Sequence, residues 1–235
     1  MDSSDPFRNL RLYWHRFRKT KSIELEGVRL VTDASMPKLI RSLIFKRTYE
    51  QAERVLLRDI VQPGDCVLEI GAGIGFIGLL SARLAGPSGR VVSYEANPAL
   101  RPLIEANYAK NSLRPELRMR AVSIDGRPIE LHVNESILSS SFFSREATQS
   151  IQRIKSDAFQ TILRELNPDV LVMDVEGAET DLLAACDLGT MRSALVELHP
   201  HIVGDDKITA LLEGLSDQGF GPTKTLDKNI TLRRV

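Results

Sequence analysis

Cysteine is nearly missing: Cys66 and Cys186 are the only two in 235 residues, far apart and without metal-ligand spacing. That excludes a disulfide framework and a cysteine zinc site, and it predicts two reduced thiols in a cytoplasmic protein. An excess of one charge is missing too. With 31 basic and 31 acidic side chains there is no net field to draw the chain to nucleic acid or to an acidic membrane. No apolar run approaches the length of a membrane span, and the charged start from Asp2 onward lacks the apolar core and small-residue cleavage site of a secretory leader. Repeats and low-complexity tracts are absent. Hydrophobic residues at 43% and charged residues at 26% are ordinary globular values, and the length suits one α/β domain.

Residues 1–48 read as an N-terminal extension and 49–235 as the main domain. From Pro6 to Lys21 the chain carries Arg8, Arg11, Arg16, Arg18, Lys19 and Lys21 with Phe7, Leu10, Tyr13, Trp14 and Phe17 interleaved, and no acid. This predicts a short basic amphipathic helix that docks its aromatic side on the domain; a lid or a subunit contact is the sharper alternative. "SIELEGVRLVTD" alternates about Glu26-Gly27 and reads as a hairpin. "MPKLIRSLIFKRTYEQAERVLLRDI" places Leu39, Leu43, Val55, Leu56 and Ile60 at helical spacing up to Pro63-Gly64.

From there apolar runs alternate with helical stretches: "CVLEI", "RVVSYE", "LRMRAVSI", "DVLVMD" and "SALVELH". Such runs are strands buried on both faces, which predicts a doubly wound α/β domain with a mostly parallel sheet. "IELHVN" and "SSSFFS" are candidate strands of an insertion near the ligand side, and "FGPTKTL" with "ITLRRV" reads as a terminal antiparallel hairpin.

The loop "DCVLEIGAGIGFIG", residues 65–78, sets the chemistry. Glycines after a buried strand let the chain turn sharply and let a ligand approach the backbone. In the dinucleotide fingerprint the sixth place is glycine; counted from Gly71 it is Phe76, and the register through Gly73, Gly75 and Gly78 starts late. Glu69 lies two residues before Gly71. A carboxylate there repels a pyrophosphate and attracts an ammonium or sulfonium, which favours S-adenosylmethionine (SAM) over a nicotinamide dinucleotide. Glu95 ends the second strand, where its carboxylate can accept from both ribose hydroxyls of either cofactor.

"VLEIGAGIGFIGLLSARLAGPSGRVVSYEANP" resembles the first cofactor motif of class I SAM-dependent methyltransferases, and "PDVLVMDVEGAETDLL" with "ALVELHP" resembles the FkbM family among them. The resemblance runs from about Tyr49 to His199. Two positions depart from the family: Ala96 stands where proline is frequent, and Val172 or Met173 where a lysine is frequent. The resemblance implies a Rossmann-like seven-stranded sheet, SAM as cofactor and methyl transfer, usually to oxygen, on a small-molecule or carbohydrate acceptor. Expected cofactor contacts are Glu69, Gly71, Gly73, Gly75, Glu95, Asn97 and Ser123, with Glu50 a weaker candidate. Removing a proton from an alcohol needs a base at the carboxyl ends of the strands; Asp174 and His199 are the first candidates and Glu176 the next. Glu197 accompanies His199 on one side of its strand, and Glu179 is explained by the helix dipole. Asp174, Glu176, His199 and His201 could instead hold a divalent metal, but two histidines about a proline do not suit magnesium, so no metal ligand is assigned and a metal stays the minority reading. A nicotinamide oxidoreductase and a non-catalytic SAM-binding module are the competing functions. A nucleic-acid partner is not expected, and a homo-oligomer stays open.

Overall fold

The computed structural model describes residues 5–133 and 150–235. In chain order the elements begin with α1 (Arg8–Phe17), β1 (Ser22–Leu25), β2 (Val28–Val31), α2 (Lys38–Lys46) and α3 (Gln51–Ile60). The first half of the main sheet follows: β3 (Cys66–Ile70), α4 (Phe76–Ala85), β4 (Arg90–Tyr94), α5 (Arg101–Ala109) and β5 (Glu116–Arg118). Next come β6 (Ala121–Ser123), β7 (Ile129–Val133), β8 (Ser150–Ile154), β9 (Ser156–Ala158) and α6 (Phe159–Leu166). The chain closes with β10 (Val170–Met173), α7 (Glu179–Ala184), β11 (Ser193–Glu197), α8 (Pro200–Val203), α9 (Asp205–Asp217), β12 (Phe220–Leu226) and β13 (Asn229–Arg234).

Seven strands form one sheet in the order β12-β13-β11-β10-β3-β4-β5. β3, β4, β5, β10 and β11 run parallel, and β13 lies antiparallel between β11 and β12. The order reverses between β3 and β10, and the carboxyl ends of those strands open the crevice in which such sheets bind ligands. Two apolar cores flank the sheet. One joins Val67, Val91 and Leu195 to α3, α4 and the N-terminal hairpin; the other joins Leu68, Val92, Leu171 and Val196 to α6, α7 and α9. Alternate strand residues therefore feed opposite cores, which explains the unbroken apolar runs.

The doubly wound sheet and both hairpins follow the expectation. Four details differ. The periodic stretch before Pro63 is two helices, because Arg47 and Glu50 take left-handed backbone conformations between them. Leu39 and Val55, expected inside, are 68% and 36% exposed. "LRMRAVSI" is not one strand: after Arg118 the chain leaves the main sheet, and β6 pairs with β9. The helix α1 docks the other way round, through Leu12, a stacking of His15 on Phe45 and a bond from Arg16 to Ser42, leaving its aromatic side in solvent. The first five residues of "IELHVN" form β7, paired with β8, whereas its last residue and "SSSFFS" lie outside the described residues.

Candidate active site

The loop between β3 and α4 is held by backbone bonds. The amides of Gly71 and Ala72 both donate to the Tyr94 carbonyl, each at 3.0 Å, and the Asp174 amide donates to the Ile70 carbonyl at 3.0 Å. Gly71 has φ +95°, and a Cβ there would lie 1.9 Å from the Asp174 carbonyl oxygen. Glycine is required at this place because the end of β10 presses on it. Gly75 caps α4 against Ile104 and Tyr108 of α5.

An open cleft of about 770 Å³ lies over these strand ends, lined by Gly71, Gly73, Glu95, Asn97, Arg120 and Asp174 among others. Glu95 is buried and accepts from the Gly73 amide at 2.8 Å and the Asn97 amide at 2.7 Å. Burial raises its pKa to about 7 against the opposing pull of those amides. Asn97 caps the following turn by accepting from the Ala99 amide. Leu100, Val122 and Leu131 give the cleft an apolar side, while Asp174 and Glu176 give it an acidic end.

Two expected cofactor contacts sit elsewhere. The Ser123 hydroxyl bonds to Ser156 and accepts from the Gly126 amide, and its neighbours Arg120, Ala121 and Val122 line the cleft in its place. Glu69 does not face this cleft. It is 1% exposed and lies under α4 beside Ser93 and Gly78, lining a smaller cavity behind the loop with Tyr49, Glu50 and Glu53. Burial lifts its pKa to about 7.

At the acidic end the structure brings together Asp174, Glu176, Glu197 and His199, and with them Glu179 and Glu53. His199 is 1% exposed. Its amide and Nδ1 lie 3.0 and 3.1 Å from Glu179 Oε1, so Nδ1–H donates to that carboxylate. Glu179 is fully buried and also accepts from the Gly177 amide at 2.8 Å, so its place is set by these bonds and not by the helix dipole alone. His199 Nε2 faces Glu197 Oε1 at 3.5 Å, Glu176 Oε2 at 3.7 Å and Asp174 Oδ1 at 3.8 Å. Burial opposes charge on this imidazole, but its bonds to Glu179 and Glu197 and the charge of Asp174 raise its pKa to about 10. His199 is therefore an imidazolium at neutral pH. Asp174 titrates well above the carboxylate range because of burial and the charges of Glu197, Glu50 and Glu176, and its Oδ1 is buried with no hydrogen-bond partner. Glu53 is pushed up to about 10 by burial and by Glu50, which keeps it protonated beside Glu197. Asp174, Glu197 and His199 form the one group among the described residues whose ligand atoms, within 4.8 Å of one another, have the spacing for a metal ion; exposed His201 is not part of it.

Sequence reasoning missed Glu53 and the role of Glu179. Both sit in the first turn of a helix, where acids need no further explanation; only the tertiary placement of α3 and α7 reveals them.

The donor set of the cleft fits SAM. Glu95 suits ribose hydroxyls, Leu100, Val122 and Leu131 suit an adenine face, and Asp174 and Glu176 suit an ammonium group. It does not fit a pyrophosphate: the cation of the lining, Arg120, is paired with Asp157 at 2.6 Å.

Known proteins give the same direction. A crystal structure of a SAM-dependent O-methyltransferase from Thermotoga maritima superposes with TM-score 0.51 at 17% identity, covering 85% of this chain and 72% of that one. One of a putative transferase from Pyrococcus horikoshii does so with TM-score 0.52 at 11% identity, covering 99% and 85%. At such identities the likeness is one of fold. A protein-L-isoaspartate O-methyltransferase of Triticum aestivum is 35% identical over 75 residues, so the match spans 33% of that relative's length and 32% of this chain. Residues 69–221, well over half of the chain, match the Methyltransferase FkbM domain. The chain belongs to the FkbM methyltransferases, which use SAM as methyl donor.

Proposed function

We propose that this methyltransferase acts on a hydroxyl group of a small molecule or sugar. The observation that carries the reading is the cluster at the acidic end of the cleft, in which half-exposed Asp174 and Glu176 stand against buried His199 and Glu179 and can hold and move a proton beside the place where a methyl group would be delivered. Bound SAM supplies an electrophilic methyl on a sulfonium that carries its own leaving group. An amine acceptor needs little help with its proton, whereas an alcohol needs a base.

Asp174 is the proposed base. In its ionised form, which the neighbouring charge of His199 favours against burial, it accepts a proton more strongly than an ordinary carboxylate, and its Oδ1 has no competing hydrogen bond. His199 changes role from the one its usual pKa suggested. Held charged between Glu179 and Glu197, it stabilises the negative charge of Asp174 and fixes the carboxylate's direction. Glu176 borders the cleft next to it. A wider cavity adjoins the cluster, lined by Glu50, Glu53, Glu197, Lys228 and Asn229, and is the proposed seat of the acceptor. A smaller cavity between them, with Tyr49 and Phe76 on its apolar side, shares Asp174 with the cleft and Glu50 and Glu53 with the wider cavity.

The test is transfer of isotope-labelled methyl from SAM to a panel of sugars, polyols, phenols and amines. A labelled methyl ether supports the reading, and exclusive labelling of amines overturns it. In the Asp174→Asn variant, turnover should fall by roughly 10²–10⁴-fold while binding of S-adenosylhomocysteine persists.

A further inference from the structure

The N-terminal helix presents a surface that the methyl-transfer site does not use. Phe7, Leu10, Tyr13, Trp14 and Phe17 are 60, 63, 67, 52 and 88% exposed. At the 100° per residue of an α-helix they share one arc of about 120°, opposite buried Leu12. These five are half of the exposed large hydrophobic side chains among the described residues, all within positions 7–17 of one element. Singly exposed apolar side chains are ordinary; a contiguous stripe marks a contact.

Charge says what the contact is. The chain is neutral as a whole, yet residues 6–21 hold six cations and no acid. Arg11 is paired with Asp5. Arg16, Arg18 and Lys19 form no ion pair within 4 Å among the described residues, Arg8 and Lys21 are drawn only at longer range to Asp5 and Asp33, and Arg18 lies over the Trp14 ring at 5.1 Å from its centroid. Past the C-terminal end of the helix a cavity is lined by His15, Arg16, Lys19, Lys21 and Arg41, against one acid, Asp33. An apolar stripe with tryptophan and tyrosine, bordered by unpaired cations and a cationic cavity, is complementary to the headgroup layer of an anionic bilayer. A second copy of this chain is a poorer occupant, because stacking two such stripes brings like charges together.

We propose that α1 seats the protein on the surface of an anionic membrane, its Phe7–Phe17 stripe lying among the lipids while Arg16, Lys19, Lys21 and Arg41 receive lipid phosphates. The attachment proposed is to one leaflet; among the described residues no helix is long and apolar enough to cross a membrane. Arg8 also lines the wider cavity beside the catalytic cluster, which places the mouth of that cavity close to the lipid surface.

Trp14 is the single tryptophan, so its fluorescence reports the stripe alone. The full chain is mixed with phosphatidylcholine vesicles, with or without phosphatidylglycerol. The expected result is co-sedimentation and a blue shift of Trp14 emission with the anionic vesicles, weakened by salt. Neutralising Lys19 or Lys21 should lower partitioning on the order of fivefold each. Leu10→Ser with Phe17→Ser should abolish binding while leaving the unfolding midpoint unchanged, since neither side chain is buried. Absence of binding and of a blue shift overturns the proposal. So does a concentration-dependent blue shift without lipid, which would mean self-association, or binding to single-stranded nucleic acid with no response to vesicles.

Discussion

Gly78 stands on a helix, yet the constraint on it comes from the strands beneath. A Cβ there would lie 2.5 Å from Glu69 Oε2 and 2.6 Å from the Ser93 hydroxyl. Gly78→Ala should therefore lower stability by about 1–3 kcal/mol, seen as a fall of several degrees in the unfolding midpoint, although alanine favours helices. Glu95 carries a different consequence. As the proposed acceptor from both ribose hydroxyls it binds them most strongly when ionised, and its pKa is about 7. Affinity for S-adenosylhomocysteine should rise from pH 6 to pH 8, and Glu95→Gln should weaken binding and flatten that rise in calorimetric titration.

At the scale of elements, Asn107 ties three of them together. It is fully buried on α5, accepts from the Val31 amide of β2 at 2.8 Å and donates to the Ile74 carbonyl of the glycine loop at 2.8 Å. Asn107→Ala strands two buried backbone groups and should cost about 2–5 kcal/mol, with loosening of the loop visible as faster amide exchange at Val31. This link was not legible in the sequence, since an asparagine late in a helix looks like surface. The strands β3, β4, β10 and β11 were legible because burial on both faces writes itself as an unbroken apolar run. The break after Arg118 was not: "LRMRAVSI" satisfies strand propensity on both sides of the bend, and only the pairing of β6 with β9 separates them. The side on which α1 docks was misread for a related reason. Apolar spacing locates a stripe on a helix but does not say whether the stripe faces the core. Among site residues, Glu95, Asp174 and His199 were legible from their positions at strand ends, whereas Glu69 follows the alternation of its strand into the space under α4.

For the whole molecule, the buried groups with the largest upward shifts, Glu53, Glu69, Glu95 and His199, act in one direction with pH. Glu69 and Glu95 have folded-state pKa values of about 7 against an ordinary 4.5. Because the folded value is the higher, their contribution to stability is complete below pH about 4.5 and is lost as pH rises through about 7. For each carboxyl this is ~3 kcal/mol at its limit. Glu53 and His199, both raised to about 10, change in the same sense at higher pH. The ligand-free protein should thus unfold at a lower temperature at pH 8 than at pH 5.5, and Glu69→Gln should narrow that gap, as read by scanning calorimetry.

The antiparallel strand β13 has one more consequence, for the order of assembly. It is the only bridge between β11 and β12, yet it follows both in the chain. A nascent chain can collapse around β3, β4 and β10 as it leaves the ribosome, but the β11 edge keeps its unpaired backbone groups until residues 229–234 emerge. Completion of this sheet therefore waits for residues 229–234, and a chain stopped short of β13 carries an open edge that other strands can join.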